Sequence, residues 1–198
     1  MSIKKPGVLS RLSLLFFKKS DMKIGIIATA LFSGYLLFLS FLGKSFEVGE
    51  GKVNSLGTTF GFGVDDVRDF FTARSDKMIT SYIEFNQVWD FIFAIIYGVM
   101  YVIWLSIIYK SYSKKNWLVN LIPLIQVIFD WVENFSIASL ARTYLLDGTI
   151  STSTVTLAST SSIFKWVVSI FVYILILYGI VLRLLKAKKN KTTINPCG

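Results

Sequence analysis

From Ile24 to Gly43 the chain runs for 20 residues without a charge, between Lys23 and Lys44 (IGIIATALFSGYLLFLSFLG). A helix of about 20 apolar residues, rising 1.5 Å per residue, crosses the hydrocarbon core of a bilayer. Three further runs reach that length: 85–109 with Asp90 as its one charge, 117–140 with Asp130 and Glu133, and 163–183. The last is uncharged from Trp166 to Leu182 and bounded by Lys165 and Arg183. These are solid apolar blocks, not stripes, in a chain that is 54% hydrophobic and 16% aromatic. The expected fold is therefore an all-α membrane protein, a four-transmembrane-helix bundle forming one membrane domain over 1–198. The first run exceeds the 7–15 residues of a signal-peptide core, and no small-x-small site follows it, so an uncleaved anchor is expected.

The net charge of +9 would suit nucleic acid if it were spread over a soluble surface. It is not spread. Six basic residues precede the first run or open it, three (Lys110, Lys114, Lys115) follow the second, and five lie in the tail 184–198 or at its edge. These account for fourteen of the 21 basic residues, with Asp21 the only acid among them. The positive-inside rule then puts both termini and the short loop after the second run in the cytoplasm, with loops 44–84 and 141–162 outside. Membrane lipid is the expected partner, and no nucleic acid. An oligomer is left open.

There is no His, and Cys197 is the only Cys. No disulfide can form within one chain, and zinc, haem and iron centres lack their usual ligands. No cofactor and no metal site are expected.

Outside the spans, VLSRLSLLFFKK (8–19) mixes apolar and basic residues. It reads equally as an interfacial helix on anionic lipid and as a basic topogenic arm. In the outer loop, GKVNSLGTTFGFG is Gly-rich and turn-like, and Val64, Val67, Phe70 and Phe71 fall at helical spacing. Ser75 is an expected N-cap for a helix continuous with the second span. The loop thus reads as a short helical lid over the outer face.

The chemistry lies in the polar groups that interrupt the runs. On a helix, Gln126, Asp130, Glu133 and Asn134 share one face of the third span, and Asn86, Asp90, Tyr97 and Tyr101 one face of the second. A charge at the bilayer centre costs a few kcal/mol even on lenient scales, so these faces must turn inward. Counting the rise from the outer ends puts Asp90 about 8 Å, Glu133 about 10 Å and Asp130 about 15 Å deep. Lys165 opens the fourth span at the same side and is expected to pair with Glu133 or Asp90. Pro123 is expected to kink the third helix. Tyr and Trp at span ends read mostly as interfacial belt residues.

The order SYIEFNQVWDFIFAIIYG, IPLIQVIFDWVENFSIASL, SIFKWVVSI resembles a group of small bacterial four-span membrane proteins. They carry a Tyr…Asp-x-x-Phe…Tyr second span, an Asp-x-x-Glu-Asn third span and a Lys opening the fourth. The matching positions are Tyr82, Asp90, Phe93, Tyr97, Asp130, Glu133, Asn134 and Lys165. The resemblance implies the four-span fold and this choice of residues, and it implies no reaction.

The expected function is a polar, acidic intramembrane pocket in the outer half of the bundle, binding a lipid or a small amphiphile with a cationic head. Its expected residues are Asp90, Asp130, Glu133, Asn134, Lys165, Tyr97, Gln126, Tyr82, Asn86 and Tyr101. The alternatives are a proton- or cation-coupled transport component and a structural subunit of a membrane complex. Buried polar residues that merely glue helices together, at about 0.6 kcal/mol per hydrogen bond, would leave the same sequence trace. No catalytic motif specifies a reaction.

Overall fold

The computed structural model describes residues 7–49, 55–112 and 118–194, with side chains for all but 112 and 187–194. Lys4, Lys5, Lys114, Lys115 and Cys197 lie outside the described residues. Among those described, the regular structure is helical throughout: α1 (Val8–Lys19), α2 (Met22–Gly43), α3 (Val64–Thr72), α4 (Asp76–Glu84), α5 (Phe91–Tyr109), α6 (Pro123–Asp147) and α7 (Thr152–Ile194). Four stretches are long and apolar enough to cross a membrane: Met22–Phe46, Asp76–Tyr109, Val119–Asp147 and Thr152–Lys186.

Local chemistry sets most helix boundaries. Asp21 Oδ1 accepts from the Ile24 N–H at 3.0 Å and starts α2 after a two-residue joint from α1. Ser75 Oγ accepts from the Met78 N–H and caps α4, as the sequence predicts. Pro123 does not kink a helix. It occupies the first turn of α6, where a missing N–H costs nothing, and the preceding turn is a separate 3₁₀ segment, Val119–Leu121. Gly148, in the left-handed region at φ 72°, ends α6 seven residues beyond the expected span. Helix α7 runs past Arg183 through Ile194, because Leu, Lys and Ala are strong helix formers even in a basic segment.

Between α4 and α5 the chain makes a π-helical turn, Phe85–Asp90. The second span is thus one rod of 34 residues with a register change in it. A π turn carries an extra residue, which rotates everything before it relative to everything after.

Helices α5 and α6 are the inner pair. Just over half of each one's most apolar window is buried, against 17% for the windows of α2 and α7. Helix α2 packs on α5, and α7 packs most extensively on α6. The approach is close where glycine permits it. A Cβ at Gly98 would collide with Val127, and one at Gly179 with Ile108 and Tyr109.

The segment before α4 folds onto one end of this bundle. Val67, Phe70 and Phe71 of α3 are buried against Ile79 and Tyr82 of α4, Ile137 and Leu140 of α6, and Val155 and Ala158 of α7. Arg74 ties the segment down, donating from Nε to Phe46 O at 2.9 Å and from Nη1 to Phe70 O at 2.8 Å. Its guanidinium lies 3.5 Å from the Phe70 ring centroid. Burial lowers the Arg74 pKa from its ordinary value.

The opposite end is closed by α1. Ser13 Oγ donates to Asn120 Oδ1 at 2.6 Å, while Asn120 Nδ2 donates to Ser13 O and to Ser106 Oγ. Lys110 Nζ donates to Ser20 O, and Arg183 reaches the carbonyls of Ile107 and Ile108 near the end of α5. Cationic side chains near a helix C-terminus satisfy carbonyls that have no partner within the helix.

Candidate functional site

Helix α6 carries the row Gln126, Asp130, Glu133 and Asn134, all buried. Their spacing of three and four keeps them on one face. Lys165 comes toward this row from α7 with its side chain 9% exposed. Its Nζ lies 3.1 Å from Asp130 Oδ1 and also binds Glu133 Oε2. Asp130 is held from its other oxygen by the Tyr97 hydroxyl, which donates to Oδ2 at 2.8 Å. One ammonium thus bridges two carboxylates from one helix, and a phenol from α5 orients one of them, Asp130. Pairing with Asp90 did not occur; the second acid taken by Lys165 is Asp130, one turn from Glu133 on the same helix.

The third donor position of Lys165 goes to the loop, at 2.9 Å from Gly57 O. Around it the segment 55–62 is pinned by side chains from two helices. The Tyr82 hydroxyl accepts from the Leu56 N–H at 3.0 Å and contacts Ser55 Oγ at 3.2 Å. Ser162 Oγ and Trp166 Nε1 both donate to Thr59 O, at 2.8 and 3.1 Å. Ser159 Oγ accepts from the Phe62 N–H at 2.9 Å. Trp166 therefore has a specific partner here and is more than a belt residue. Sequence reading also passed over Gly57, Thr59 and Ser162, because two of these three contribute through backbone carbonyls, which no residue type announces.

A cleft of about 480 Å³ opens beside the ion pairs. Asp90, Tyr97, Tyr101, Gln126, Asp130 and Lys165 line its polar side, together with Ser55 and Ser169. Phe32, Leu36, Leu37 and Leu39 of α2, with Phe93, Trp166 and Tyr173, form the apolar side. Tyr101 and Tyr173 join their hydroxyls at 2.8 Å, linking α5 to α7. Among the described residues Asp90 makes no ion pair; it stands half-buried in the cleft wall.

The ten expected residues divide three ways. Six line the cleft, as above. Glu133 and Asn134 lie behind it, fully or almost fully buried. Tyr82 and Asn86 do not face it at all. Asn86 donates to Tyr82 O at 2.7 Å, and Tyr82 is packed among Phe46, Phe70 and the loop. The cause is the π turn at Phe85–Asp90, which rotates residues before it off the face of Asp90, Tyr97 and Tyr101.

The cluster's polar capacity exceeds its partners. Among the described residues, buried Gln126 Oε1, Glu133 Oε1 and both amide atoms of Asn134 have no protein hydrogen-bond partner of good geometry. By charge count the group is three carboxylates against one ammonium. Among the described residues no three of His, Cys, Asp and Glu are arranged for a metal ion, and Lys165 Nζ already fills the place between two carboxylates.

No protein-family model, curated protein or solved structure matches this chain significantly. What the cluster can do has to be read from its own atoms. Among its described residues it presents a carboxylate outside any ion pair, Asp90, at the edge of a cleft whose other side is aromatic and aliphatic.

Proposed function

We propose that this chain is a multi-pass protein of the bacterial cytoplasmic membrane that binds a small amphiphile with a cationic head in the cleft between α2, α5 and α7. The cationic head sits at Asp90, with Asp130 behind it, and the tail lies along Phe32, Leu36, Leu37 and Phe93 toward lipid. The observation that supports this reading is half-buried Asp90, in no ion pair among the described residues, on the polar side of a cleft whose opposite side is aliphatic and aromatic. Ligand sites of this size are mostly apolar with a few fixed polar groups, and an acid within a membrane span marks a functional site more often than a structural one.

The orientation proposed with it has both termini in the cytoplasm and the folded segment 55–84 outside. Its support is the excess of Lys and Arg at the α1 end, including Lys18, Lys19, Lys23, Lys110 and Arg183. The cleft would then open in the outer half of the bilayer, with the 55–62 segment as its roof.

The test uses purified protein in nanodiscs and three probes with one tail: dodecyltrimethylammonium, dodecyl maltoside and dodecyl sulfate. Saturable thermal stabilisation by the cationic probe alone, weakened about tenfold in Asp90→Asn, is the expected result. Equal response to all three heads, or no effect of the substitution, would falsify the reading. Proton flux in liposomes that disappears in the same variant would favour transport instead.

A further inference from the structure

Helix α1 is docked on one side and bare on the other. Its docked side is Ser13 and Phe17, the first bonded to Asn120 and the second packed with Leu105, Ile108 and Tyr109. Its other side leaves Val8 83% and Leu9 60% exposed, with Leu15 also exposed and Leu12 and Phe16 partly so. At 100° per residue these five occupy one sector of the helix, and Lys18 borders it. An apolar sector of that width would not be left to water.

The level at which α1 docks says what covers it. Asn120 stands three residues before α6 begins, and Ser106 three before α5 ends. Asp21 and Ser20 alone separate α1 from the start of α2. Three candidate membrane spans therefore begin or end where α1 lies, so the helix sits at the boundary between apolar core and water. Lys18 beside the sector, Lys19 at the C-terminal end of the sector itself and Lys23 in the first turn of α2 are all exposed ammoniums.

We infer that α1 lies in the surface of an anionic leaflet, with Leu9, Leu12, Leu15 and Phe16 among the acyl chains and Lys18, Lys19 and Lys23 on phospholipid phosphates. Amphipathic helices with a basic polar face bind membranes through these two terms together. The buried bonds from Ser13 to Asn120 and on to Ser106 tie that surface contact to the starts and ends of α5 and α6. This inference is independent of what the cleft binds.

The experiment places one nitroxide on full-length protein in which Cys197 is replaced by Ser, at Leu15→Cys or Lys18→Cys. The protein is held in nanodiscs of phosphatidylcholine and phosphatidylglycerol. At Leu15 the label should collide more with oxygen than with a water-soluble nickel reagent, and at Lys18 the reverse. Equal access to the nickel reagent at both positions overturns the inference. So does dipolar broadening between two protomers at Leu15, which would mean that a second copy covers the face. In the Lys18→Gln/Lys19→Gln protein, enrichment of phosphatidylglycerol in co-purified lipid should fall at least about threefold. Unchanged enrichment, with the Leu15 label still in lipid, overturns the anionic part and with it the inference as stated.

Discussion

The two ends of this bundle both bury a polar network between apolar helices, and they do it in opposite ways. At the α1 end, one amide and two hydroxyls satisfy one another: Asn120 serves Ser13 twice and Ser106 once, and Ser106 Oγ donates to Val102 O. None of those three side chains is charged, and among the described residues none of their atoms is left over. At the loop end, one ammonium serves two carboxylates, and among the described residues a third carboxylate makes no ion pair. A closed neutral network is what helix adhesion needs. An open charged one costs stability, because burying the charges is repaid only by good pairing.

Removing the cation should have the largest effect. In Lys165→Met, two buried carboxylates one turn apart lose their counter-ion, and the loop loses the bond to Gly57. The expected loss is about 3–5 kcal/mol, read as a collapse of folded yield or of the thermal midpoint in detergent. Adding Asp130→Asn and Glu133→Gln should recover most of the stability, because the charges then leave together. A single variant as stable as the parent would mean the ion pairs hold nothing, and the two ends would no longer differ.

The matching change at the α1 end is Asn120→Leu. It removes three hydrogen bonds and leaves the Ser13 hydroxyl without its acceptor, for about 1–3 kcal/mol. Thermal midpoint should fall while affinity for dodecyltrimethylammonium holds. If affinity fell as well, the α1 end would be part of the function and not only of the fold.

The difference between the ends also sets what could be read from the sequence. The four apolar helices were legible because length and hydropathy decide them alone. Helical spacing of 3.6 residues per turn also suffices to put Gln126, Asp130, Glu133 and Asn134 on one face of α6, but not to tell that Lys165 would reach Asp130 as well as Glu133. The misreadings come from local backbone changes that residue type does not announce. The π turn at Phe85–Asp90 contains Asn86 and turns Tyr82, before it, toward the loop, and the 3₁₀ turn before Pro123 lets a helix start where a kink is expected. The roof of the cleft was hidden for a related reason. Gly57 and Thr59 act through carbonyl oxygens, which every residue has. Asn120 and Ser13 are 107 positions apart, and neither stands out from a polar residue near a span end.

Tyr82→Phe tests whether the roof is held from α4. The hydroxyl takes the Leu56 N–H and contacts Ser55, so its removal leaves one buried donor unserved, at about 1–2 kcal/mol. That change should appear as faster hydrogen exchange confined to 55–62, with a thermal midpoint little altered. Uniform loss across the bundle would assign Tyr82 to the core rather than to the roof.

Asp90→Asn is expected to change stability least. Asp90 has no ion pair to lose, its side chain is half-buried, and an amide of the same shape removes one of two like charges near Asp130. The thermal midpoint should stay within about 0.5 kcal/mol of the parent, or rise. Binding of a cationic amphiphile should weaken about tenfold, as one charge-assisted contact of about 1.4 kcal/mol is lost. A residue that costs nothing in folding and is needed for binding has no structural reason to be an acid. Asn120 gives the opposite pair of results, stability lost and binding kept. If Asp90→Asn instead destabilised the protein as Asn120→Leu does, Asp90 would be another helix-gluing group, and the loop end would be only a costlier version of the α1 end.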